Sequence, residues 1–279
     1  MHGVNSSVVT SFPRRRLPHQ LRMSVLTVGC VAVLTGCGST SEAQGEAESS
    51  DVVVTTDGPR VAATSPAPIA KGWFETVGDN TGGAQMTYLR LSDGWHVGTA
   101  NERLPRPALS LAKLFIADYV FQHGNDEEIA AAVEMIETSN DDIADELYVT
   151  FPKAIDATAK RYQLQSTKGD SRWGYSLTST YDVVRFIAIK LQDDPASPII
   201  DAMRHSAPYA ADGYRQNFGT ANVAGVIGTK WGWSNDRDYH ASVSFGEDFV
   251  VAASQPGGPA DLTKLVTTQI QRIDEMEPR

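Results

Sequence analysis

Cysteine is nearly absent from this chain. Its 279 residues hold two, Cys30 and Cys37, both close to the N-terminus. No disulfide framework and no cysteine metal site is therefore available to the residues that follow, even in an oxidising compartment. Histidine does not replace them. His96, His123, His205 and His240 stand at no metal-ligand spacing and read as surface or satisfied polar groups, so neither a metal nor a cofactor is expected. A basic excess is lacking too. Lys and Arg number 24 against 34 Asp and Glu, a net charge of −10, which argues against nucleic acid and anionic lipid surfaces as partners. Gly-x-Ser-x-Gly, His-Glu-x-x-His and phosphate-loop patterns are missing, and no internal repeat is visible.

Acid is missing from the first 41 residues, whereas Arg14, Arg15, Arg16 and Arg22 are basic. An apolar run from Ser24 to Thr35 follows, the length of a signal segment and too short to span a bilayer as a mature helix. It ends Leu34-Thr35-Gly36-Cys37, which resembles a bacterial lipobox. That resemblance implies a lipoprotein signal peptide over residues 1–36, cleavage before Cys37 and lipid on its sulfur. The mature chain would then carry 20 basic and 34 acidic residues, a charge of −14. Its membrane contact would come from acyl chains on the outer face of the cytoplasmic membrane. Residues 37–66 lack aromatics and are rich in Ser, Thr, Ala and acid, which reads as a solvated tether.

About 210 residues remain, 67–277, enough for one compact domain or two lobes sharing a cleft. Residues 68–77 suggest a short helix. Two strands, 85–91 and 95–100, are joined by Ser92-Asp93-Gly94. Helices follow over 110–123, 126–137, 142–151, 152–162, 181–192 and 197–205. Strands 225–233, 239–245 and 249–254 come next, then an amphipathic helix over 261–275. Hairpin connections predict an α+β fold, with an antiparallel sheet of about five strands and a helical block inserted between strands two and three.

The 110–123 helix is apolar nearly all round, which marks it as buried. Gly124 suits an αL position ending it, and Ser110 suits a cap at its start. Lys113 lies one turn after Ser110. Either it snorkels to solvent beside a capping serine, or the pair is a nucleophile and its base, since a hydroxyl attacks only when a neighbour takes its proton. The tight link 123–125 predicts an antiparallel helix hairpin that returns Ser139-Asn140-Asp141 toward Ser110. Ser139 alone reads as a helix cap. Lys230-Trp231-Gly232 lies in the first strand after the helices. There Lys230 could equally reach solvent, and Trp231 and Trp233 could be sheet packing.

Ser110-Leu111-Ala112-Lys113, Ser139-Asn140-Asp141 and Lys230-Trp231-Gly232, in that order, resemble the three motifs of the penicillin-recognising serine hydrolases. The nearest likeness is to short β-lactamase-like lipoproteins of actinobacteria, over residues 68–276. The resemblance implies a β-lactamase/transpeptidase-like fold with a reduced all-α lobe. Ser110 would be the acylated nucleophile and Lys113 its base. Ser139 would pass a proton to the leaving group, and Lys230 would hold the substrate carboxylate. The backbone N–H groups of Ser110 and Trp233 would form the oxyanion hole, and Asn140, Asp141, Trp231 and Gly232 would line the pocket. Three departures stand out. Asp141 replaces an Asn that donates to substrate, and Trp231 replaces a hydroxyl. Asp170 is the one carboxylate in the stretch where class A β-lactamases carry the deacylating Glu, so deacylation is expected to be slow. The readings are a hydrolase or acyltransferase acting on an envelope amide or ester, such as a peptidoglycan fragment, or a degenerate domain that binds an envelope partner. An efficient β-lactamase fits least.

Overall fold

The computed structural model describes residues 74–76 and 83–276, which form one unit. The signal segment, Cys37 and the tether lie outside these residues. Among the described residues no helix is long and apolar enough to cross a membrane, and no group of three or more His, Cys, Asp or Glu could hold a metal ion.

The order is β1 (Phe74–Thr76), β2 (Gln85–Arg90), β3 (His96–Gly98) and β4 (Arg106–Pro107). A 3-10 turn (Leu109–Leu111) then leads into α1 (Ala112–His123), α2 (Asp126–Thr138), α3 (Asp141–Thr150) and α4 (Ala154–Tyr162). After a second 3-10 turn (Trp173–Tyr175) come β5 (Leu177–Thr178), α5 (Thr180–Asp193) and α6 (Pro198–Arg204). A third such turn (Gly219–Asn222) precedes β6 (Gly228–Trp233), β7 (Tyr239–Phe245), β8 (Phe249–Pro256) and α7 (Pro259–Met276). The sheet runs β1-β3-β2-β8-β7-β6. Five strands are antiparallel, and β1 adds to β3 in parallel. The chain thus has the α+β fold expected, with its helical block between β3 and β6. One expectation fails: 74–76 is a strand, not part of a helix, because pairing with β3 outweighs local helix preference.

Alternation along each strand sorts the core into two faces. Ala241, Val243 and Phe245 of β7 face the helices, where they meet Leu114, Phe115 and Ile116 of α1 and Val183, Phe186 and Ile187 of α5. Met86, Val97, Trp231, Val251 and Ala253 face the other way, onto Leu262 and Val266 of α7. Helix α1 is the centre of the first core. Leu114, Phe115, Ile116 and Val120 are wholly buried, each contributing about 1.5–3 kcal/mol. Its ends differ from expectation. Gly124 is extended (φ −81°, ψ 163°), not αL. It is required because a Cβ there would lie 2.9 Å from both Val120 Cγ1 and Val120 O. Ser110 makes no cap bond. Helix α2 starts with a capping box, Asn125 with Glu128, and α5 with the Ser179 hydroxyl accepting from Asp182 N–H.

Candidate active site

Short two-residue pairing holds the approach to Ser110. β4 pairs with β5, and Ala108 N–H donates to Ser176 O at 2.8 Å. Leu109 then adopts φ +53°, a left-handed conformation that is costly for a side chain branched beyond Cβ and survives only where its surroundings enforce it. The enforcement is visible. Leu109 packs in the main core, and β6 passes so close that a Cβ on Gly232 would fall 2.9 Å from Leu109 Cβ and 2.9 Å from Ser110 N. This crowding turns Ser110 toward the helical lobe at the foot of α1.

Lys113, one turn on, is fully buried. Its Nζ donates to Ser110 Oγ at 3.0 Å, to Ser139 O at 2.9 Å and to the Asp141 carboxylate through Oδ1. Three donors meet three acceptors, so the ammonium is satisfied and does not snorkel. It also sits 4.5 Å above the ring of Trp173, whose indole N–H donates to Asp145 Oδ1 at 2.6 Å. Burial pulls the Lys113 pKa down from its ordinary value, while the charge and hydrogen bond of Asp141 pull it up.

Ser139 is not a helix N-cap. That place is held by Asn140, whose side-chain oxygen accepts from Asp142 N–H at 2.9 Å and Ile143 N–H at 3.4 Å. Asn140 is thereby committed to starting α3 rather than to lining the pocket. Ser139 ends α2 in the left-handed region (φ 54°, ψ 31°), and this bend turns its two oxygens to two different lysines. The carbonyl faces Lys113, and the hydroxyl meets Lys230 Nζ at 2.6 Å.

Lys230 reaches in from β6 and is also fully buried, so it does not run to solvent. Its acceptors are neutral: Ser139 Oγ and, at 3.3 Å, Trp231 O. Burial, then repulsion from Lys113, drives its pKa well below the ordinary value, with Asp141 opposing. Of the two lysines, Lys230 thus has the stronger pressure toward neutrality. Ser110, Lys113, Ser139 and Lys230 therefore form one hydrogen-bonded line, joined between Lys113 and Lys230 by the carbonyl and the hydroxyl of Ser139.

Strand alternation decides the rest of the third motif. Ser234 N–H donates to Tyr239 O, on the β7 side. Counting back by twos, Gly232 and Lys230 share that side, and Trp233 N–H and Trp231 N–H face the open edge of β6. Trp233 N–H is thus free to join Ser110 N–H, close by across Gly232, as a pair of donors. Trp231 is a correction. It does not line the pocket. Its side chain packs on the opposite face with Met86, Phe218 and Leu262, and its indole N–H donates to Phe218 O at 2.8 Å. It neither blocks the site nor replaces the missing hydroxyl. Trp233 is half-buried, with its indole N–H 3.2 Å from Asp212 Oδ2 and its ring 4.7 Å from Tyr214. Asp170 does not serve the site: its carboxylate accepts from Arg172 N–H and Ser171 Oγ in its own turn, bonds that hold its pKa low. Two site residues escaped the sequence reading. Trp173 and Asp145 carried no motif, and only the i, i+4 spacing of Asp141 and Asp145 on α3 hinted that both face the same cleft.

No protein-family model matches the chain, and no curated protein matches its sequence. Solved structures do match in fold. A penicillin-binding protein from Listeria monocytogenes in its cefotaxime-bound form is 15% identical, with 68% of this chain and 95% of that chain covered and a TM-score of 0.51. A D-alanyl-D-alanine carboxypeptidase from Mycobacterium tuberculosis is 14% identical over 73% and 96%, with a TM-score of 0.51. An ancestral class A β-lactamase is 14% identical over 70% and 95%, with a TM-score of 0.53. The chain has the fold of the penicillin-recognising serine hydrolases.

Proposed function

We propose that this chain is a serine hydrolase or acyltransferase that works through an acyl-Ser110 intermediate on an amide or ester of the cell envelope, held at the membrane by lipid on Cys37. One observation carries the reading: Ser110 Oγ, Lys113 Nζ, Ser139 and Lys230 Nζ lie in a continuous buried hydrogen-bonded line built from three distant segments. Two wholly buried lysines facing one serine pair are expensive to keep without a task. In the attack, the Ser110 hydroxyl gives its proton to a neutral Lys113, and the new oxyanion takes hydrogen bonds from Ser110 N–H and Trp233 N–H. Ser139, bridged to Lys230, is placed to hand a proton to the leaving group. Lys230 supplies positive potential for an anionic part of the substrate, without help from a neighbouring hydroxyl.

A second reading is favoured by Asp141. Its carboxylate accepts from Lys113 and opposes the loss of the lysine's proton, and a lysine kept as an ammonium accepts none. On that reading the domain binds an envelope ligand and does no chemistry. A fluorophosphonate probe on membranes carrying the full chain separates the two. Covalent label is expected on Ser110, absent in Ser110→Ala and shifted to the soluble fraction in Cys37→Ala. An unlabelled wild-type chain overturns the hydrolase reading. A labelled Cys37→Ala band that stays with the membrane overturns the anchor.

A further inference from the structure

The absence of a Glu from the 163–180 stretch leads to the expectation that an acyl-serine would be stranded. That expectation treats this stretch as the one source of a base. Three carboxylates act on Lys113 in the structure, and two are engaged elsewhere. Asp145 accepts from the Trp173 indole, and Asp212 accepts from the Trp233 indole with Arg237 at 3.9 Å. Asp170, the carboxylate of the 163–180 stretch, closes its own turn. Asp141 alone touches the line of reacting groups.

Resting on the acyl-Ser110 reading above, we infer that Asp141 is the general base that hydrolyses the acyl-serine, in a Ser110–Lys113–Asp141 relay. Asp141 Oδ1 and Ser110 Oγ are both bonded to the same Lys113 Nζ. The carboxylate therefore stands within two hydrogen-bond lengths of the serine oxygen, roughly 6 Å, a span that one bridging water fills. Lys113 is wholly buried, whereas 66% of the Asp141 side chain is exposed, so the carboxylate sits where solvent meets the buried relay. Oδ2 has no partner among the described residues and is open to water.

The step balances. A water held by Asp141 attacks the acyl carbonyl carbon, giving its proton to the carboxylate, and the carbonyl electron pair moves onto oxygen beneath the N–H groups of Ser110 and Trp233. When that oxygen reforms its double bond, the bond from carbon to Ser110 Oγ breaks. Asp141 passes that proton to a neutral Lys113, and Lys113 passes one on to Ser110 Oγ, so Lys113 is neutral again at the end of the turnover. One water is consumed, and a carboxylic acid and free Ser110 result. The residue that departs from the family pattern at this position, where an amide is usual, is then a carboxylate because a base is required there.

The test uses the full chain in detergent with p-nitrophenyl acetate. Wild type should release p-nitrophenolate over many turnovers. Asp141→Asn should give a burst of about one product per chain, a steady rate lower by about 100-fold or more, and an acetyl adduct on the peptide that contains Ser110. Asp142→Asn removes the same charge from the same exposed helix turn and should turn over like wild type. A steady rate for Asp141→Asn within a few-fold of wild type, or faster labelling and turnover, overturns the relay; the faster case makes Asp141 a lock on Lys113. Wild type that acylates once and stops also overturns it while leaving acyl-Ser110 in place. A wild type that neither acylates nor takes the fluorophosphonate sinks the acyl-serine reading itself.

Discussion

Helix α1 carries two buried charge clusters, and they are built on opposite plans. At its middle, Asp118 is buried with Tyr162 OH at 2.9 Å, Lys190 Nζ at 3.2 Å and Gln122 Nε2 at 2.9 Å. One enclosed carboxylate meets one enclosed ammonium, Asp194 reaches the same Lys190 at 3.5 Å from the surface, and the phenol is held un-ionised by burial and by Asp118. At its start, Lys113 and Lys230 are both fully buried against a single carboxylate, Asp141, which is itself largely exposed. In the first cluster each buried charge has an opposite partner, and the cluster stabilises the packing of α1 on α4 and α5. The second sets two buried lysines against one carboxylate, and burial and repulsion from Lys113 press Lys230 toward neutrality. Pairing serves stability; two lysines crowded on one carboxylate prime a site for something that arrives from outside.

The contrast should break most sharply at Asp118. Asp118→Ala leaves Lys190 with only the more distant Asp194, and chemical denaturation should show a loss of about 3 kcal/mol. A loss under about 1 kcal/mol would mean that the middle cluster is not the stabilising one. Lys230→Met should behave in the opposite way, with stability unchanged or raised by about 1 kcal/mol or more, while fluorophosphonate labelling of Ser110 slows. The pH dependence sharpens this. The folded pKa of Lys230 lies below the unfolded value, so the unfolded chain binds more protons between the two. The destabilisation is complete at low pH and fades as pH rises from the folded pKa toward 10.5. Wild-type stability should therefore climb with pH over that window more steeply than that of Lys230→Met, read from denaturation midpoints at several pH values. Ser139→Gly is the smallest change. Glycine accepts the left-handed backbone freely, so the net shift in stability should stay within about 1 kcal/mol, but the hydroxyl on Lys230 is gone and labelling should fall. Normal labelling would remove the Ser139 hydroxyl from the reaction.

Much of this plan was legible in the residues, and the reasons are local. The apolar circumference of Leu114, Phe115, Ile116 and Val120 marks α1 as buried whatever surrounds it, and the short link at Gly124 forces the hairpin that brings Ser139 back. What escaped depends on distant partners or on one torsion. Strand β1 exists because β3 is beside it. Arg106–Pro107 and Leu177–Thr178 are too short to signal pairing. Ser139 passed for a cap because nothing in its type announces a left-handed backbone. Trp231 seemed to enter the pocket until register placed it on the far face, one residue from Lys230 in sequence and across the sheet in space.

The position of β2 has a consequence in time. It lies in the sheet between β3 and β8, and Gln85 pairs with Ser254. A chain emerging from its N-terminus supplies β8 only after β2 and every helix of the inserted block. The helices can coil as they appear, but Lys230 cannot meet Ser139 until β6 has followed them, nor can β2 be paired on its second edge until β8 has. Until then β2 carries an unpaired strand edge, so the youngest form of this protein is the one most in need of protection.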